Sequence, residues 1–204
     1  AEWIKDQQNK WVYYENDSSK LNYNMTENYI EPMKLPQYYQ ADDRWGAKRY
    51  GLSNMKLTGC VPTALAMAIS GLKEDVNPVQ VADFLYSMTM ELNTTFLGTS
   101  SLGVQEVVSQ WGLNYKVIDS KEELEKTLKN GTLVYGAVGH GIFVNGYSTH
   151  AVLLTGYENG KTKAFDPDNM AKTNKWYNID DIWKERSLAP EDNMTGGAFI
   201  AIYK

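Results

Sequence analysis

The 204 residues include one cysteine and two histidines, so the chain has few of the side chains that form disulfides or soft metal sites. One thiol cannot form an intrachain disulfide, and one thiol with two imidazoles falls short of a closed zinc site built from the usual cysteine and histidine ligands. There is no run of lysines or arginines. With a net charge of -5, the chain lacks the basic footprint that nucleic acid or an anionic membrane surface requires, so neither is expected as a partner. Wholly apolar runs such as "ALAMAI", Ala64 to Ile69, stay far short of the roughly 20 residues of a membrane-crossing helix. No basic-then-apolar leader stands at Ala1, and any secretion signal is expected to have been removed or never to have been present.

Apolar residues make up 43% and charged residues 22% of the chain, an ordinary globular balance at a length that suits one domain. Residues 1–34 are rich in Asn, Asp, Glu and Lys, show no sustained period, and read as an N-terminal arm or linker. The arm is either a spacer or is docked through Trp3, Trp11 and Tyr13. Residues 35–204 have the texture of the domain. Pro62 suits the first turn of a helix running to about Ser70, because its fixed φ fits and its missing N–H is not needed there. Asn77–Pro78 repeats the device ahead of "VQVADFLYSM". "SLGVQEVVSQWGL" sets Val104, Val107, Val108 and Trp111 on one face and closes at Gly112. "SKEELEKTLKNG" carries a capping box from Ser120 to Glu123. The pattern then becomes strand-like in "TLVYGAV", "HAVLLTGYENGKTKAFDP" and "GAFIAIY", with "ENGKT" as a hairpin turn. Helices followed by an antiparallel sheet define an α+β domain.

Three residues in this layout could carry chemistry. Cys60, in "LTGCVPT", falls at a helix N-terminus, where the helix dipole and free N–H groups favour thiolate; the alternative is a small buried hydrophobe. His150 begins an apolar strand at the rim of the sheet, the place for a general base or for a satisfied structural histidine. Asp166 ends the next strand of the hairpin, as a rim aspartate near enough to reach the far nitrogen of His150 and fix its tautomer. Separately each is a weak signal, and together they fit nucleophile, base and orienter. The "DPDN" run lacks the glycine and distal glutamate of a calcium loop, so no metal is expected there.

"LPQYYQADDRWGAKRYGLSNMKLTGCVPTALAMAISGL" resembles the first half of the secreted bacterial papain-like proteins related to the bacteriocin-leader-processing peptidases, and "HAVLLTGYENGKTKAFDPD" is similar to their histidine strand and Asp-Pro turn. The matching positions include Pro36, Gln40, Trp45, Tyr50, Gly51, Gly59, Cys60, Pro62 and Met67. The resemblance implies a papain-like cysteine peptidase fold, a helical lobe followed by an antiparallel sheet lobe. It also implies a site of Cys60 as nucleophile, His150 as base, Asp166 as orienter and Gln40 as oxyanion donor beside the Cys60 N–H. The reaction implied is hydrolysis of a peptide or amide bond through a thioester, without a cofactor. The substrate would be a peptide or protein, including cell-wall peptide, and the enzyme a monomer that is secreted or anchored at a bacterial surface. One position departs from the pattern: Val61 stands where the family has glycine, and its β-branched side chain would crowd the cleft mouth or restrict the turn. His140, in the glycine-rich loop before His150, is a candidate rim contact for substrate. Two other readings share the same site: a transpeptidase or other acyltransferase, and a non-catalytic module that binds peptide or cell-wall material.

Overall fold

The computed structural model describes residues 2–5, 8–9, 11–14, 29–88 and 99–204. Strands β1 (Glu2–Lys5) and β2 (Trp11–Tyr14) pair antiparallel; the side chains of Trp3, Trp11 and Tyr13 lie outside what is described, and so does their packing. The domain proper begins with β3 (Tyr29–Ile30) and the short hairpin β4 (Arg49–Tyr50) and β5 (Ser53–Asn54). Helices α1 (Met55–Thr58), α2 (Cys60–Leu72), α3 (Pro78–Met88) and α4 (Ser101–Gln110) follow. Next come β6 (Asn114–Val117), α5 (Lys121–Lys129), β7 (Leu133–Val138), β8 (His150–Glu158), β9 (Lys161–Phe165), β10 (Lys175–Asn178), α6 (Ile179–Lys184) and β11 (Phe199–Tyr203). The fold is α+β, with a helical first half and an antiparallel sheet in the order β10-β9-β8-β7-β11-β6.

Local chemistry starts and stops these helices. Asn77 and Gln80 exchange side-chain and backbone hydrogen bonds in a capping box, with Asn77 Oδ1 accepting from the Gln80 N–H at 3.0 Å. Ser120 Oγ accepts from the Glu123 N–H at 3.1 Å, while the Glu123 carboxylate reaches one residue further back than expected, to the Asp119 N–H. Gly112 and Gly131 end α4 and α5 with positive φ.

Helix α2 is apolar nearly all round, with every residue from Val61 to Ile69 buried. It can therefore only be an interior element, and it packs on α3, α4, β7 and β8. Strand β7 is buried throughout and β8 everywhere but its ends, which is why both read as near-continuous apolar runs. Because α2 lies against β8, the first residue of the helix and the first residue of the strand, Cys60 and His150, come to the same edge of the core.

Tyr29 and Ile30 extend this sheet, and the segment after them stays tied to it. Tyr29 and Ile30 pair with Glu158 and Tyr157 of β8, and the Met33 N–H donates to Thr155 Oγ1 at 2.8 Å. The register of β8 against β9 shifts between Thr155 and Glu158, and Gly156, with φ of +80°, sits in that irregularity. A Cβ there would lie 2.6 Å from Pro32 Cγ and 2.9 Å from Pro32 N. Gly156→Ala is therefore expected to destabilise the domain by on the order of 2 kcal/mol. The change should appear as a lower urea midpoint and faster hydrogen exchange at Met33, whose N–H bond depends on this contact.

Candidate active site

Gly59 precedes the nucleophile candidate for a steric reason. A Cβ on this residue would lie 2.5 Å from the Met55 carbonyl oxygen, so only glycine lets α1 run directly into α2. Asn54 caps α1 by accepting from the Leu57 N–H, and Gly59 N donates to Met55 O at 2.9 Å. Cys60 is thereby fixed as the first residue of α2, half-buried, with no acceptor for its N–H inside that helix.

His150 opens β8 opposite Val138 of β7. Its Nε2 lies 2.6 Å from Asp166 Oδ1, which leaves Nδ1 for the hydrogen bond with Cys60. Burial disfavours the charged imidazole, but the hydrogen bonds to Asp166 and Cys60 and the negative charge of both outweigh it and raise the pKa from 6.5 to about 10. Asp166 is buried, only 1% exposed. Its Oδ1 also accepts from the Asp168 N–H at 2.8 Å and the Asn169 N–H at 3.2 Å, and its own N–H donates to Thr173 Oγ1.

Gln40 is 4% exposed and lines the same groove as Cys60 and His150. Its backbone N–H donates to Pro167 O at 2.8 Å, and the preceding carbonyl, Tyr39 O, accepts from Trp45 Nε1 at 2.7 Å. Gln40 Nε2 donates one hydrogen to Lys56 O at 3.0 Å and keeps a second. The opposite amide orientation would set two carbonyl oxygens against each other, so the Lys56 carbonyl dictates that nitrogen occupies this place.

The groove, about 590 Å³ in volume, is lined by residues 143–149 together with Leu57, Thr58, Asp168 and Asn169. The loop containing residues 139–149 is tied to the end of α6. Gly139 N donates to Glu185 O at 2.7 Å, and Ile142 N donates to Glu185 Oε2 at 2.9 Å. Burial raises the pKa of this carboxyl. His140 is exposed on the same loop, within 3.2 Å of Gly146 O, and is not among the residues lining the groove. Val61 neither distorts a turn nor narrows the open groove. It is a regular helical residue, 4% exposed, and faces a separate cavity of about 40 Å³ beside Cys60 and His150. The other walls of that cavity include Thr149, Glu191 and Asp192, none of which carries a local sequence signal.

Residues 32–195 match the Peptidase_C39 like family, and the chain belongs to it. A Bacillus anthracis protein assigned as a C39-like peptidase superposes with a TM-score of 0.56 over 86% of this chain and 98% of that one, at 16% identity. The peptidase domain of Streptococcus ComA, a bi-functional ABC transporter of a quorum-sensing pathway, superposes with a TM-score of 0.50 over 77% and 96%, at 18% identity. These likenesses fix the papain-like fold. No curated protein matches the chain.

The raised pKa of His150 has a consequence for stability. A group whose pKa is higher folded than unfolded adds stability that is complete below its unfolded value and is lost as pH rises through its folded value. Between about pH 6.5 and about pH 10 the wild type should therefore lose stability faster than His150→Gln. Urea midpoints of the two proteins measured across that range check this; parallel profiles would contradict the charged pairing.

Proposed function

We propose that the protein is a cysteine peptidase or amidase that hydrolyses a peptide or amide bond through a thioester on Cys60. The observation that carries this is the 2.6 Å contact between His150 Nε2 and Asp166 Oδ1. It turns the other imidazole nitrogen to Cys60 at the start of a buried helix, inside a groove large enough for an extended peptide. Family membership supports the same reading.

In this mechanism the Cys60 sulfur attacks the carbonyl carbon, and the negative charge passes to the carbonyl oxygen. That oxygen is received by the Cys60 N–H and the second Nε2 hydrogen of Gln40. The His150 imidazolium gives its Nδ1 proton to the departing amine as the C–N bond breaks and the thioester remains. Neutral His150 then takes a proton from water, whose oxygen attacks the thioester; the acid is released and Cys60 is restored beside a charged imidazole. Asp166 keeps Nε2 as the donor to itself throughout, which reserves Nδ1 for the reaction. The peptide occupies the groove along residues 143–149, and the chemistry calls for no cofactor.

Two rates separate the roles. Alkylation of a thiolate by iodoacetamide forms no oxyanion, whereas acyl transfer does. Gln40→Ala should leave Cys60 alkylation within a few-fold of wild type and lower peptide or ester hydrolysis by about 10²–10³-fold. Equal losses in both reactions would overturn the oxyanion role. His150→Ala should slow alkylation itself at neutral pH by about tenfold or more, because the thiolate loses its imidazolium partner; an unchanged alkylation rate would return Cys60 to the status of an ordinary buried thiol. Should the wild type alkylate readily but hydrolyse no member of a broad peptide library, the hydrolase reading gives way to a binding module.

A further inference from the structure

The small cavity beside Cys60 has a polar floor that the proposed reaction does not use. Asp192 is 8% exposed and is held rigidly. Its Oδ2 accepts from Ser187 Oγ at 2.6 Å, the Thr149 hydroxyl also donates to its carboxylate, and its N–H donates to Ala189 O. Asn193 Nδ2 braces the same turn by donating to Ser187 O at 3.0 Å and Ala189 O at 2.8 Å. Thr99, Tyr135 and Glu191 complete the polar lining, while Val61, Ala137 and Ala151 supply apolar walls. Burial raises the Asp192 pKa against the opposing hydrogen bonds from Ser187 and Thr149.

A carboxylate offers about four acceptor positions, and Ser187 and Thr149 take two. The others are those of a group kept in low dielectric, where an acceptor without a donor is costly. The cavity, about 40 Å³, compares with the roughly 10–15 Å³ that admits one water. It has space for two or three heavy atoms and none for a branched aliphatic or aromatic side chain. Val61 sets this limit, since glycine at that position would leave the helix-side wall open.

We infer that this cavity is a specificity pocket for a small substrate side chain bearing a hydrogen-bond donor, a hydroxymethyl or aminomethyl group close to the scissile bond, with Asp192 as the residue that recognises it and Val61 as the residue that limits its size. This rests on the peptidase reading of the site. It goes beyond that reading by naming the chemistry of one substrate side chain.

The test uses the full chain and peptides that differ at one position. Serine, 2,3-diaminopropionate, 2-aminobutyrate and valine are placed in turn at each of the three residues on either side of the cleaved bond. 2-Aminobutyrate matches serine in size but lacks the donor. At one position, serine and diaminopropionate should exceed 2-aminobutyrate by about ten- to a hundredfold in kcat/KM, the discrimination expected for a hydrogen bond to a charged group. Valine should be excluded there. Asp192→Asn should collapse the diaminopropionate preference, and Val61→Ala should admit valine without altering the donor preference, which keeps the idea testable even if the Asp192 variant misfolds. The same side chains on the acyl side of peptidyl chloromethyl ketones provide a readout by Cys60 labelling that needs no turnover. Equal use of serine and 2-aminobutyrate at every position, in cleavage and labelling alike, would overturn the pocket. A labelling preference without any cleavage would support the pocket and overturn the hydrolase.

Discussion

A buried carboxylate, that of Asp166, ties the separate parts of this site together. Removed from water, it is tolerable only with donors around it, and the donors it recruits are the parts that must be positioned. His150 Nε2 and the N–H groups of Asp168 and Asn169 converge on Oδ1. The turn those bonds create presents Pro167 O to the Gln40 N–H. Thr173, which accepts from the Asp166 N–H, donates in turn to Gln37 Oε1. The imidazole, the segment around Gln40 and the β9–β10 connection are therefore positioned by one local network, and an error in any of them is felt by the others.

The electrostatics follow from the same arrangement. His150 is hydrogen-bonded to Asp166 and Cys60 in a region from which water is largely withdrawn, and those interactions outweigh the cost of burial and raise its pKa to about 10. The cavity on its other side adds Asp192 and Glu191. The imidazole thus faces negative or polar groups on several sides, an arrangement that favours its charged form.

What the sequence conveyed was what is local in the chain. The caps at Asn77 and Ser120 are settled within four residues, and both are present. The place of Cys60 follows from Gly59 and Pro62, its immediate neighbours. Asp166 was legible as a partner for His150 because a hairpin joins their strands. Its burial was not legible: it reads as a rim residue, and only the fold reveals that it lies under the turn it organises. Asp192 and Glu185 carried no signal at all, since each acts on a part of the chain distant in sequence, Asp192 on the surroundings of Cys60 and Glu185 on the loop before His150. Residues 29–33 looked like linker because they end a stretch rich in Asn, Asp, Glu and Lys with no sustained period, and they are held by β8, through pairing at Tyr29 and Ile30 and a contact between Met33 and Thr155 that spans 122 positions. Val61 was readable as a departure, but the place where it presses was not. A helical residue points to one side of its helix, and that side proved to be the small cavity beside Cys60 and His150 and not the larger groove.

The order of strands in the sheet also has a bearing on the life of the chain during synthesis. Strand β11, made after every residue of the candidate site, is not an edge strand but lies between β7 and β6, with Phe199 opposite Gly136. Until it inserts, β7 has an open flank and the core on which α2 and β8 meet is incomplete. The thiol leaves the ribosome long before its imidazole, and the imidazole before the strand that secures the sheet beneath it. The sheet beneath Cys60 and His150 is thus closed by a strand later in sequence than either of them, so its completion waits on a long-range pairing.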